Sequence, residues 1–153
     1  MDKTKVLVAD DHPLVRDSIA TLLEKQYDFE VVGKAANGEE AVKLVGELSP
    51  NVVVMDIEMP GVDGLEATKQ IKAGHPEASI LVLTAHDDEE YVTAMLDAGA
   101  AGYLLKSVYG EGLVQAIRSL RLGEFVLDPQ IGRRVADVVS TLFSPLLQVK
   151  SRR

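Results

Sequence analysis

The run Val52-Val53-Val54-Met55 constrains this chain more than any other stretch. Three β-branched residues and a methionine in succession give a strand no polar side to turn to water, so it reads as buried on both faces. A parallel sheet covered by helices on both sides buries a strand in this way, and parallel strands need long crossovers between them. The rest of the chain supplies them. Lys5–Ala9, Phe29–Ala35, Val52–Asp56, Ser79–Thr84 and Gly102–Lys106 read as strands. A first helix starts at Pro13 and runs to about Gln26, with Val15, Ile19, Leu22 and Leu23 on one face. Asn37 with Glu40 resembles a capping box ahead of Ala41, Leu44, Val45 and Leu48. A third helix spans Gly64 to about Ala73, and Gly74 and Pro76 stop it. A fourth opens at Asp87 and Asp88 and ends near Ala98, with Gly99 as cap. A fifth carries Leu113, Ala116, Ile117 and Leu120 on one face and closes at Gly123. The alternation predicts an α/β fold: a five-stranded parallel sheet, doubly wound as (βα)5 and flavodoxin-like.

Charge narrows the function classes. Residues 1–106 carry 9 basic and 20 acidic side chains, a net of −11, while residues 107–153 carry 7 and 4, a net of +3. A body that acidic repels nucleic acid, which argues against a DNA-binding module there. With no cysteine in its 153 residues the chain has neither a disulfide framework nor a thiolate metal site. Met1 to Val6 lead straight into a strand, so no signal peptide is read there, and no apolar run reaches transmembrane length. A cytoplasmic protein without membrane contact is expected.

Right-handed crossovers put the carboxyl end of every strand on one rim, where open α/β sheets bind ligands. Four of the five strands deliver a polar group there: Asp10-Asp11 after the first, Asp56 after the third, Thr84 after the fourth and Lys106 after the fifth. Pro60, Gly61 and Gly64 turn the chain just after Asp56. Singly these are ordinary residues. Asp-Asp before a helix is commonly an N-cap, and Pro, Gly and Asp favour turns anyway. Jointly they are harder to dismiss. Carboxylates held together repel, and a hard divalent cation such as Mg²⁺ relieves that through oxygen ligands. A lysine and a hydroxyl beside the cation suit phosphoryl transfer, with Asp56 as nucleophile forming an acyl phosphate.

With these pieces in order, residues from Lys5 to Leu122 resemble the receiver domain of two-component response regulators. The resemblance rests on Asp10-Asp11, Met55-Asp56 with Met59-Pro60 and Asp63-Gly64, Thr84-Ala85, and Gly102-Tyr103-Leu104-Leu105-Lys106. It implies that Asp56 is phosphorylated by a sensor histidine kinase. It also implies that Asp11, Asp56 and the backbone carbonyl of Glu58 hold Mg²⁺, with Asp10 acting through water. Lys106 would contact the phosphoryl group, Thr84 would swing toward it, and Tyr103 would turn inward behind it. Glu58 and His86 would tune the phosphate's lifetime. His12 and His75 are read as surface or loop residues.

Asp11-His12-Pro13-Leu14-Val15-Arg16 and Leu122-Gly123-Glu124-Phe125-Val126-Leu127-Asp128-Pro129 are similar to the NarL/LuxR-type branch, which carries a helix-turn-helix output domain. The expected division is a receiver over residues 1–123 and a linker helix with tail over 124–153. That helix would begin at Asp128-Pro129 and carry Ile131, Val135, Val138, Val139 and Leu142 near one face. Residues 124–153 are too few for the output domain, so either a shortened form of a transcription regulator or a natural loss of that domain is expected, the former being favoured. Phosphorylation would then drive homodimerisation and, in the complete protein, DNA binding. Three rivals remain. An aspartyl-phosphate hydrolase usually has aspartate two residues after the nucleophile, where this chain has Glu58. A flavodoxin-like cofactor module needs a phosphate cradle where this chain has the acidic Asp10-Asp11-His12-Pro13. A fixed interaction domain would not need the full acid set and Lys106.

Overall fold

The computed structural model describes residues 2–85, 89–108 and 110–134. The strands are β1 (Thr4–Ala9), β2 (Phe29–Ala35), β3 (Val52–Met55), β4 (Ser79–Thr84), β5 (Gly102–Leu105) and β6 (Val126–Leu127). The helices are α1 (Pro13–Glu24), α2 (Gly38–Leu48), α3 (Gly64–Gly74), α4 (Glu89–Asp97), α5 (Glu111–Arg121) and α6 (Pro129–Arg134). All neighbouring strands run parallel, in the order β2-β1-β3-β4-β5-β6.

The continuous apolar run of β3 has the reason inferred from it. Val53 and Met55 point into one core with Leu7, Ile80 and Val82, roofed by Ala41 and Val45 of α2, Ile71 of α3 and Met95 of α4. Val52 and Val54 point the other way, into a core with Val6, Val8 and Leu81, roofed by Ile19 and Leu23 of α1 and Leu113 and Ile117 of α5. Each of the four is at most 2% exposed, and burying a side chain of this size contributes roughly 1.5–3 kcal/mol. Asn37 caps α2 by accepting from Glu40 N (2.8 Å), and Glu40 Oε1 reaches back to Ala36 N (3.0 Å).

The strand count corrects the sequence reading. The sheet has six strands rather than five, because Val126 and Leu127 add to its edge beside Gly102 and Tyr103. A two-residue strand is too short to show an alternating pattern. Gly102 admits it: a Cβ there would lie 2.7 Å from Leu81 Cδ1 and 3.3 Å from Val126 Cβ. Helix α6 begins at Pro129, as its sequence suggested. The expectations placed on His86, on Asp87 and Asp88, and on Val135 to Leu142 lie outside the described residues.

The chain goes outward from β1 to β2 and then returns past β1 to β3. The crossovers diverge there, leaving a crevice above the carboxyl ends of β1 and β3. Asp10, Asp11 and Asp56 stand at that point.

Candidate functional site

Backbone ladders fix the acids before any side chain acts. Asp10 N donates to Ala35 O (3.0 Å) and Asp56 N donates to Ala9 O (2.9 Å), which extends the pairing of β1 with both neighbours by one residue. Asp10 and Asp56 are therefore held level and are 2% and 4% exposed. The loop after Asp56 is pinned from two sides. Gly64 N donates to Ile57 O (2.8 Å), and a Cβ on Gly64 would sit 2.4 Å from Asp56 O. A Cβ on Gly38, at the start of α2, would sit 1.9 Å from Val62 O. Only glycine lets both helices approach this closely.

Lys106 follows β5 directly, and its backbone N donates to Thr84 O (2.6 Å). Its Nζ bridges Asp56 Oδ2 and Asp10 Oδ2, 3.2 Å from each. Asp56 also accepts from Glu58 N at 3.3 Å. His12 Nδ1 stands 3.0 Å from Asp10 Oδ1 and 3.1 Å from Asp11 Oδ1, and its hydrogen bond goes to Asp10. Arg16 Nη1 donates to the Asp10 carbonyl at 2.9 Å.

The charges strain against one another. Burial, and after it the Asp10 charge, pushes the Asp56 carboxyl above the usual aspartate value, against Lys106 and the Glu58 amide. Burial alone would pull the Lys106 ammonium down, but Asp56 and Asp10 together outweigh it and hold it above an ordinary lysine. The hydrogen bond to Asp10, and then the Asp11 charge, raises the exposed His12 ring.

The donor set fits a small divalent cation. Asp10, Asp11, His12 and Asp56 each offer an atom, and these four atoms lie within 4.8 Å of one another. Asp11 Oδ1 is buried and accepts no hydrogen bond, although the His12 ring is near. A buried carboxylate oxygen that has only a ring already bonded to Asp10 beside it is costly, and a hard cation would satisfy it. Beside the acids a hollow of about 480 Å³ opens to solvent, lined among others by Asp11, His12, Glu58, Met59, Asp63 and Tyr91.

The structure thus brings Asp10, Asp11, Asp56 and Lys106 together. Thr84 is wholly buried at the end of the adjacent strand. Tyr103 is wholly buried too, within the core that contains Val82, Val92, Met95 and Ile131. The Glu58 side chain is exposed and is not among the converging ligands, while its amide contacts Asp56. The sequence reading missed His12 and Arg16. His12 is indeed a surface residue, with a side chain 61% exposed, yet it pairs with both acids. Its place next to Asp11 was the available signal, and the ring's direction was not.

Residues 6–118 match the response regulator receiver domain family. The chain is 43% identical over 132 residues to Response regulator GacA of Pseudomonas aeruginosa, covering 86% of this chain and 62% of that one. It is 40% identical over 130 residues to Transcriptional regulatory protein DegU of Brevibacillus brevis, covering 85% and 55%. The crystal structure of a LuxR-family two-component response regulator from Aurantimonas sp. SI85-9A1 superposes with a TM-score of 0.84 at 36% identity, covering 89% of this chain and 97% of that one. The chain spans 62% and 55% of the length of the two curated relatives.

Proposed function

The chain belongs to the response regulator receiver family, of which LuxR-type regulators are members, and we propose that it is a signalling switch whose phosphoryl acceptor is Asp56. One observation carries this reading most directly: Lys106 Nζ lies 3.2 Å from both Asp56 and Asp10, beside an Asp11 oxygen with no hydrogen bond. The donor is a phosphohistidine of a sensor kinase. An Asp56 oxygen attacks the phosphorus, the P–N bond breaks, and the departing imidazole takes up a proton. Lys106 holds the incoming phosphoryl oxygens and Asp56 at once, so the step is mostly positioning and electrostatics. Asp11, Asp56 and the Glu58 carbonyl, with Asp10 close by, would hold Mg²⁺. Bound there, it would neutralise charge on the phosphoryl oxygens.

Thr84 and Tyr103 carry the change outward. Thr84 moves toward the phosphoryl group, Tyr103 repacks behind it, and the face of α4, β5 and α5 is biased between two arrangements. Dimerisation through that face, or through α1 and α5, would pair output domains on DNA half-sites in a complete regulator. Residues 1–123 would form the receiver and 124–153 the linker and tail. The setting would be the cytoplasm, where a sensor kinase could reach Asp56; among the described residues no helix is long and apolar enough to cross a membrane.

The test is the intact mass after incubation with Mg²⁺ and a small phosphodonor. The expected result is one added phosphoryl group, absent in Asp56→Asn and absent when Mg²⁺ is chelated. Continuous release of phosphate from an aryl phosphate without accumulation of the modified chain would mark a hydrolase instead.

A further inference from the structure

Asp128 is a carboxylate buried to 4% exposure outside the acidic site. Burying a charge is costly unless donors surround it, and those of Asp128 come from the backbone of two elements. Its Oδ1 accepts from Gln130 N at 2.9 Å, which caps α6. Its Oδ2 accepts from Leu105 N at 3.3 Å, across 23 residues of sequence. Its own amide donates to Tyr103 O at 2.9 Å. Three residues later Ile131, 0% exposed, enters the core that holds Tyr103. Leu105 precedes Lys106, whose ammonium bridges the two buried aspartates. A single side chain therefore fastens the last residue of β5 to the first turn of α6.

From this arrangement we propose that Asp128 is a positioning residue that couples Lys106, through Leu105, to α6, so that an occupied acceptor site steadies the first turn of α6. The inference rests on the acceptor reading of Asp56. When a phosphoryl group holds Lys106 fast, the Leu105 amide is fixed with it, and so is the carboxylate that caps α6. Coupling of this kind is reciprocal: whatever loosens Asp128 weakens the grip at the acceptor site by the same factor.

Amide hydrogen exchange of the full chain, with and without beryllium fluoride and Mg²⁺, tests it, with ¹⁹F NMR reporting bound fluoride. In the wild type the Gln130 and Gly132 amides should exchange at least about fivefold more slowly with fluoride bound, the lower end of ordinary allosteric coupling. Asp128→Asn separates coupling from capping. Asparagine caps a helix as well as aspartate does, but it has one acceptor oxygen, so with Gln130 retained its NH₂ group faces the Leu105 amide. This variant should still bind fluoride, about fivefold more weakly, and its α6 amides should no longer respond. Bound fluoride with unchanged α6 amides in the wild type overturns the coupling alone. An Asn variant that responds as fully as the wild type does the same. No bound fluoride in the wild type overturns the acceptor reading, and the coupling falls with it.

Discussion

At position 56 a carboxylate 4% exposed lies beside a second one, Asp10, that is 2% exposed. This arrangement weakens the fold, because it holds two carboxylates together out of water. Because the native chain keeps the Asp56 proton above the usual aspartate value, it binds more protons than the unfolded chain as the pH rises out of the ordinary aspartate range. Stability falls across that window, and the whole cost is present once the pH has passed the raised value. Asp56→Asn removes the charge and leaves Asp10 to pair with Lys106. The variant should melt higher than the wild type at pH 7, and the gap should shrink toward pH about 3, where an ordinary aspartate is mostly protonated. Circular dichroism melts at the two pH values check this, and a variant that melts lower at pH 7 would contradict the account of a repelling pair.

Helix α2 shows how an element serves a site that it does not enter. Its first residue, Gly38, meets the loop that follows Asp56 so closely that a Cβ would stand only 1.9 Å from the Val62 carbonyl oxygen. Gly46 in the same helix is exposed, and its Cβ would find nothing nearer than His75 Nε2 at 3.8 Å. One substitution at two positions should therefore act in opposite directions. Gly46→Ala should stabilise by up to about 1 kcal/mol, the helix-propensity gain. Gly38→Ala should destabilise by roughly 1–3 kcal/mol, because a backbone oxygen cannot step aside as a side-chain tip does. It should also slow phosphoryl incorporation by displacing the β3–α3 loop. Urea titration of both variants measures the two signs, and equal effects would show that the α2 contact does not bear on the loop.

Across the whole molecule, the end of the sheet opposite the acids is closed separately. Arg118 of α5 donates from Nε to Asp28 Oδ2 (2.9 Å) and from Nη2 to Asp28 Oδ1 (3.0 Å), and it lies 5.5 Å from the Phe29 ring. This ties α5 to the turn before β2 across 90 residues. The hydrogen bonds from Arg118 hold the Asp28 carboxyl below its ordinary value. The stability this contributes is present above the usual aspartate range and lost as the pH falls through the lowered value. Asp28→Asn should cost about 0.5–1 kcal/mol at pH 7, since the pair is partly solvated. That deficit should vanish in acid while phosphoryl incorporation at neutral pH is unchanged. A deficit that persists in acid would place the effect in packing rather than charge.

Local patterns were enough for five of the six strands, most helices and the polar groups at the ends of four strands, because runs such as Val52–Met55 encode how each side chain is covered. They also carried the ordered set of Asp10, Asp11, Asp56, Thr84 and Lys106. Contacts between distant segments were not legible in this way. The sixth strand, the direction of the His12 ring, the fit of Gly38 against Val62 and the Asp128 bond to Leu105 each depend on how crossovers return to the sheet. Periodicity records which face of an element is buried. Which element covers it, and at what distance, is decided only when the chain closes around its core.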